Sequence, residues 1–255
     1  MQGLGNITVA LGVIAAIVYG LSRILRLKPI VLNIPNPRRS SFVAIAMLAT
    51  ILTGAVLIAL VWLWVTGKPA TLDHATKQFG FSRLWIALAA IPVYSLPVLV
   101  AIKRAESLES IGITTRNLWQ SIVIGLIISG LIVCFDARKL HALCLIGMSH
   151  VIALVFYAVV GFGEELLFRG FLQNRLVSWL GTWRGVLLTA AIFSLFHMPQ
   201  MFMFEWNWNR VLAQTSCYIP ISLFLGFVML RTGNLMAVGL FHTFANWINV
   251  LRTLA

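Results

Sequence analysis

Eight apolar runs limit what this chain can fold into. They lie at roughly 4–22, 42–66, 84–102, 118–135, 150–173, 185–204, 215–230 and 234–254, and each is about 16 to 25 residues long. A helix rising 1.5 Å per residue needs about 20 apolar residues to cross the hydrocarbon core of a bilayer. The runs are continuous rather than alternating, which disfavours an outer-membrane barrel. Hydrophobic residues make up 60% of the 255 residues and charged residues only 10%, against about 25% charged in an average globular domain. That excludes intrinsic disorder, and it leaves too little charge to cover the surface of a soluble enzyme. The expected fold class is all-α: a polytopic membrane protein of about eight transmembrane helices with short loops, a single integral membrane domain over 1–255.

The net charge of +12 would suggest nucleic acid in a soluble protein. Here the Lys and Arg fall mostly between apolar runs, so topology explains them and no nucleic-acid partner is expected. Eight spans put both termini on one side. One side then carries Arg23, Arg26, Lys28, Arg38, Arg39, Lys103, Arg104, Arg116, Arg169, Arg175, Arg184 and Arg231, twelve in all. The other carries Lys68, Lys77, Arg83, Arg138, Lys139, Arg210 and Arg252, seven in all. The positive-inside rule makes the first side cytoplasmic and the termini external. The stretch 27–41, with Pro29, Pro35, Pro37, Arg38 and Arg39, reads as a juxtamembrane loop. No Lys or Arg precedes the first apolar run, so that run is expected to remain as an anchor rather than to act as a signal peptide. Cys134, Cys144 and Cys217 form no CxxC pair and read as small core hydrophobes.

Polar residues inside apolar runs point to chemistry. Five of the seven acids (Asp73, Glu106, Glu109, Asp136 and Glu205) fall in loops or at span ends, and Glu164 and Glu165 are adjacent within VVGFGEELLFRGFL. An ionisable group inside a span costs about 2.5–3.5 kcal/mol or more, so it marks a function or a buried pair. Adjacent residues on a helix point about 100° apart. Glu165 and Arg169, at i and i+4, can pair on one face, while Glu164 points elsewhere, with Phe168 on its side. The spacing therefore assigns Glu165–Arg169 to structure and leaves Glu164 free for chemistry. His74 and His141 fall in loops, and His150 begins a span and reads as interfacial. His197 lies well inside a run with Phe193 one turn earlier, and His242 with Asn246 one turn later.

Depth joins these groups. At 1.5 Å per residue, His197 lies roughly 18–20 Å from Arg184, His242 roughly 15 Å from Arg231, and Glu164 roughly 15 Å from Arg175. Three polar clusters on three spans meet near the bilayer midplane, as a shared, water-accessible cavity would require. A carboxylate beside a His can take a proton from water. A second His and an Asn amide can donate to a developing oxyanion. That set suits amide hydrolysis by directly attacking water. Ser194, three residues before His197, is able to face the cavity, but nothing near it looks activating. Metal-assisted hydrolysis is the rival, with Glu164, His197 and His242 as zinc ligands; HExxH is absent, and Asn246 has no job as a ligand.

Glu164-Glu165-x-x-x-Arg169, Phe193-x-x-x-His197 and His242-x-x-x-Asn246, in that order on separate spans, resemble the three motifs of the CPBP intramembrane protease family. This is the CAAX-prenyl endopeptidase, Abi and bacteriocin-processing group. The resemblance covers about 118–250, the catalytic core, while 1–104 carries N-terminal spans without an assignable motif; SLESIGITTRNLW looks like the family's lead-in. It implies an eight-helix peptidase with an active-site cavity opening to the cytoplasm of a plasma membrane. It also implies Glu164 and His197 as activators of water, and His242 and Asn246 as the oxyanion site. Glu165, Arg169 and Phe193 would be supporting residues. A glutamate-type reaction without cofactor is implied over a zinc-dependent one. The substrate would be a membrane-embedded or lipidated protein or peptide. The competing readings are a non-catalytic scaffold or immunity-type protein on the same fold, and a proton-coupled carrier. Against the carrier stands the lack of an inverted repeat.

Overall fold

A computed structural model of the chain describes residues 2–28, 32–66, 81–134, 146–204 and 207–254. Lys68, Asp73, His74, Lys77, Asp136, Arg138, Lys139, His141, Cys144 and Glu205 lie outside them. Every regular element among the described residues is helical: α1 (Gln2–Ile24), α2 (Pro37–Thr66), α3 (Phe81–Lys103), a 3-10 turn (Leu108–Ile111), α4 (Leu118–Cys134), α5 (Met148–Glu165), a π-helix (Leu166–Gln173), α6 (Asn174–Leu180), α7 (Thr182–Phe204), α8 (Trp208–Ser216), α9 (Tyr218–Thr232) and α10 (Leu235–Leu254). Each of the eight apolar runs forms a helix. Among the described residues, five stretches are long and apolar enough to cross a membrane, and Leu118–Ile132 and Leu235–Val250 are shorter apolar helices. The chain is a polytopic all-α membrane protein. The run at 150–173 differs from a single α-helix, because its second half widens into a π-helix directly after the two glutamates.

Helix α10 lies between α4 and α5, and α9 packs against α7 and α1. The α5–α10 approach depends on Gly161: a Cβ there would lie 2.9 Å from Thr243 Oγ1 and 3.0 Å from the Thr243 backbone nitrogen. Small residues of this kind let membrane helices meet backbone to backbone.

Hydrogen bonds tie the ends of seven helices together on one face of the bundle. Asn117, before α4, donates to the carbonyls of Lys28 (3.1 Å) and Thr232 (2.9 Å). Asn234, before α10, donates to Thr114 O and Arg116 O. Asn174 donates to Ser110 O at 3.1 Å, and Arg231 donates to Ser22 Oγ. Glu106, after α3, accepts from Arg104 Nε at 2.8 Å, from Ser40 Oγ at the start of α2, and from Arg175 of α6. The Arg175 guanidinium lies 3.7 Å from the Phe171 ring centroid and is wholly buried.

This tied face carries the basic side of the charge count. Two of its twelve cations, however, are not loop residues. Arg169 and Arg175 are buried inside the bundle and report nothing about topology, which leaves ten against seven.

One further expectation changes, at Cys217. His150 begins α5, as expected, and is buried there. Its Nδ1 accepts from Gly147 N at 2.9 Å and its carbonyl accepts from Trp247 Nε1 at 2.8 Å, joining the start of α5 to the end of α10. Cys217 is a free, half-buried thiol.

Removing one member of a buried pair strands the other charge, at a cost of about 3–5 kcal/mol. Glu106→Ala is therefore expected to lower unfolding free energy by about 3 kcal/mol, because it leaves Arg175 without a carboxylate. Chemical unfolding in detergent checks this. A loss below about 1 kcal/mol, the range of an exposed pair, would show that the cluster does not tie the bundle.

Candidate active site

Helix α5 delivers the paired acids to mid-bundle and then widens. A π-turn is rare and tends to occur at functional sites. Here every residue from Leu167 to Gln173 is buried. The preceding glycine has a specific job: a Cβ on Gly163 would collide with the Tyr94 ring, so glycine lets that ring lie against α5 beside Glu164.

The two glutamates diverge as the helical geometry requires. Glu165 is fully buried and accepts at Oε1 from Arg169 Nη1 at 3.0 Å. The same oxygen accepts from His242 Nδ1 at 2.7 Å. Glu165 is thus more than half of a structural pair, because it also holds one of the two site histidines. Arg169, also fully buried, donates from Nη2 to Ser222 Oγ at 3.0 Å and lies 4.2 Å from the Phe193 ring centroid.

Glu164 instead faces a cavity of about 480 Å³. Its Oε2 is 3.5 Å from His197 Nε2 and 3.8 Å from His242 Nε2. The other ring nitrogen of each imidazole is fixed. His197 Nδ1–H donates to Phe193 O at 2.9 Å, and His242 Nδ1–H donates to Glu165. These partners set the tautomers and aim both Nε2 atoms at Glu164. Asn246, one turn beyond His242, lines the same cavity. Phe193 is a hub: its carbonyl orients His197, its ring meets Arg169, and Phe168 packs edge-on against it at 4.9 Å.

All four residues expected to act on substrate therefore meet in one cavity, which Phe193 also lines, and Glu165 and Arg169 lie behind them. Ser194 does not meet them. It is buried and donates to Thr215 O at 2.7 Å, so it braces α7 against α8. Three neighbours were not legible from motif spacing. Tyr218 stacks on His197 with centroids 4.5 Å apart and planes at 24°. Tyr94 lines the cavity. Ser222 holds Arg169. Each reads in sequence as an ordinary member of an apolar run, and the only signal was a hydroxyl inside such a run. Among the described residues, no group of three or more His, Cys, Asp and Glu is arranged to hold a metal ion.

The cavity extends from Glu164 away from the tied face. Among the described residues its lining runs to Ile86, Gln200, Met201 and Asn249, and Ile86 and Asn249 are exposed. Its mouth thus lies at the end of the bundle where α10 finishes. Charge bias makes the tied face cytoplasmic, while the family resemblance makes the mouth cytoplasmic. The two lie at opposite ends, so these expectations exclude each other.

Residues 146–248 match the family model of type II CAAX prenyl endopeptidase Rce1-like proteins. Over these residues, less than half of the chain, it is similar to this branch of the CPBP family. The matched segment contains both glutamates, both histidines and Asn246, and it supports a peptidase of the CAAX type acting on membrane-associated substrates. No curated protein and no solved structure matches the chain.

Ser222→Ala is expected to leave a buried guanidinium N–H without an acceptor and to lower unfolding free energy by about 1–3 kcal/mol. Thermal or denaturant unfolding in detergent reads it. No change would mean that the Arg169–Ser222 bond is dispensable.

Proposed function

We propose that this chain is an intramembrane endopeptidase that hydrolyses a peptide bond of a membrane-associated substrate with water activated by Glu164 and His197. The observation that carries the reading is the convergence of His197 Nε2 and His242 Nε2, from two other helices, on Glu164 Oε2 inside one cavity. Water held between Glu164 and His197 gives up a proton as its oxygen attacks the carbonyl carbon. The carbonyl oxygen becomes an oxyanion. The tetrahedral intermediate collapses as the same pair returns the proton to the leaving amine.

The oxyanion needs donors. The Asn246 amide supplies N–H groups. His242 supplies one only as an imidazolium, because in the neutral ring the Nδ1–H given to Glu165 leaves Nε2 as an acceptor. Glu165 is then the counter-charge of the imidazolium, placed at 2.7 Å. That is a second role, beyond its pairing with Arg169. The reaction as proposed uses no metal.

The mouth is proposed to face the cytoplasm, as the family resemblance implies. This puts the termini on the cytoplasmic side, against the charge bias. The bias is the weaker guide here, since two of its cations are buried.

Glu164→Ala, His197→Ala and His242→Ala are each expected to abolish cleavage of membrane peptides by protein that still inserts and folds, and a chelator is expected to have no effect. Glu165→Gln keeps a hydrogen bond but loses the counter-charge, so it is expected to lower kcat about a hundredfold or more. Normal turnover by Glu164→Ala would end the protease reading in favour of a scaffold. Zinc-restorable loss with chelator would make the histidines ligands. In a cysteine-free background, Asn249→Cys is expected to react with an impermeant maleimide in inverted vesicles and not in intact cells. The reverse pattern would place the mouth outside.

A further inference from the structure

Each histidine of the site is followed, one turn nearer the mouth, by a carboxamide. On α10, His242, Asn246 and Asn249 stand at i, i+4 and i+7, on one helical face. On α7, His197 and Gln200 stand at i and i+3. All five line the cavity. Among the described residues no hydrogen bond engages the Gln200 or Asn246 side chain. Asn249 Nδ2 donates to Ala245 O at 3.0 Å, which leaves its Oδ1 and a second N–H. The facing wall is apolar and small, with Ile86, Ala87 and Ala90 from α3 and Val160 from α5.

We infer that Gln200 and Asn249, continuing from Asn246, form an amide track that binds the backbone of an extended, apolar peptide segment between the reaction centre and the mouth. This rests on the protease reading above.

Three physical arguments carry it. The first is access. In an α-helix each peptide carbonyl is engaged by the N–H four residues on and wrapped by side chains, so a segment must unwind locally before water beside Glu164 reaches its carbonyl carbon. The second is polarity. An unwound chain at membrane depth exposes backbone N–H and C=O groups that lipid cannot satisfy. A carboxamide offers both donor and acceptor, and it does so without burying a charge. The third is length. His242 to Asn249 spans about 10 Å along α10, which matches about three residues of extended chain. The opposite wall then receives the apolar side chains. A hydrocarbon ligand would need no amides along its path.

The test uses the whole protein in detergent micelles and an internally quenched apolar peptide, with backbone N-methylation moved one residue at a time through three positions on either side of the cleaved bond. The double substitution Gln200→Leu with Asn249→Leu is expected to raise KM about tenfold or more and to leave kcat within about twofold. N-methylation on the mouth side should cost the unsubstituted protein a similar factor and the double variant little more. An unchanged KM, with both proteins equally sensitive to methylation, overturns the track and leaves the protease reading intact. If Glu164→Ala cleaves as well as the unsubstituted protein, the protease reading fails. Fluorescence anisotropy of the same labelled peptide then decides the track separately: binding about tenfold weaker to the double variant upholds it, and equal binding overturns it.

Discussion

A fully buried carboxylate, Glu165, bonded at one oxygen to both Arg169 and His242, governs the arrangement of this site. Burying an ion pair costs more than it returns unless further bonds satisfy the remaining polar atoms. Part of that comes from elsewhere in the bundle: Ser222 on α9 accepts from Arg169 Nη2 and the Phe193 ring on α7 lies against the guanidinium. Five elements are thereby placed around one charge cluster. The adjacency of the two glutamates follows from this. With Glu165 committed to the cluster, the roughly 100° turn to its neighbour sends Glu164 into the cavity, out of hydrogen-bond reach of the guanidinium. A single acid would have had to serve the cluster or the cavity.

The helices were legible because apolar runs of span length have few other solutions, and all eight runs formed helices. The site was legible for a related reason. Polar residues inside spans are expensive, so Glu164, Glu165, Arg169, His197 and His242 stood out against their surroundings. Helical spacing alone separated the directions of the two acids, one into the buried cluster and one into the cavity. What spacing could not reach was contact between helices. The Glu165–His242 bond joins residues 77 positions apart, and no local pattern announces it. Tyr94, Tyr218 and Ser222 sit in runs where a phenol or a hydroxyl looks like ordinary packing. Ser194 misled because one turn of spacing from His197 suggests a shared face, whereas a carbonyl on α8 captures its hydroxyl. The charge count misled at Arg175, which reads as a loop cation by position and is a buried partner of Glu106 by packing.

Tying one end of the bundle has a chemical consequence at the other. On the tied side the π-helix and its neighbours bury every residue from Leu167 to Arg175, while Ile86 and Asn249, the exposed residues of the cavity lining, lie toward the α10 end. Hydrolysis inside a membrane must admit water to one bond while excluding it from the rest of the charge cluster. A cavity closed behind Glu165 does both. In the proposed reaction Glu164 and the two Nε2 atoms would meet water and peptide, while Glu165 and Arg169 stay fully buried, where their attraction is least screened. In the proposed reaction, substrate and product would share the route toward the α10 end. Binding along that route must then be firm enough to unwind a segment and weak enough to release its fragments, a balance that neutral hydrogen bonds meet better than ion pairs would.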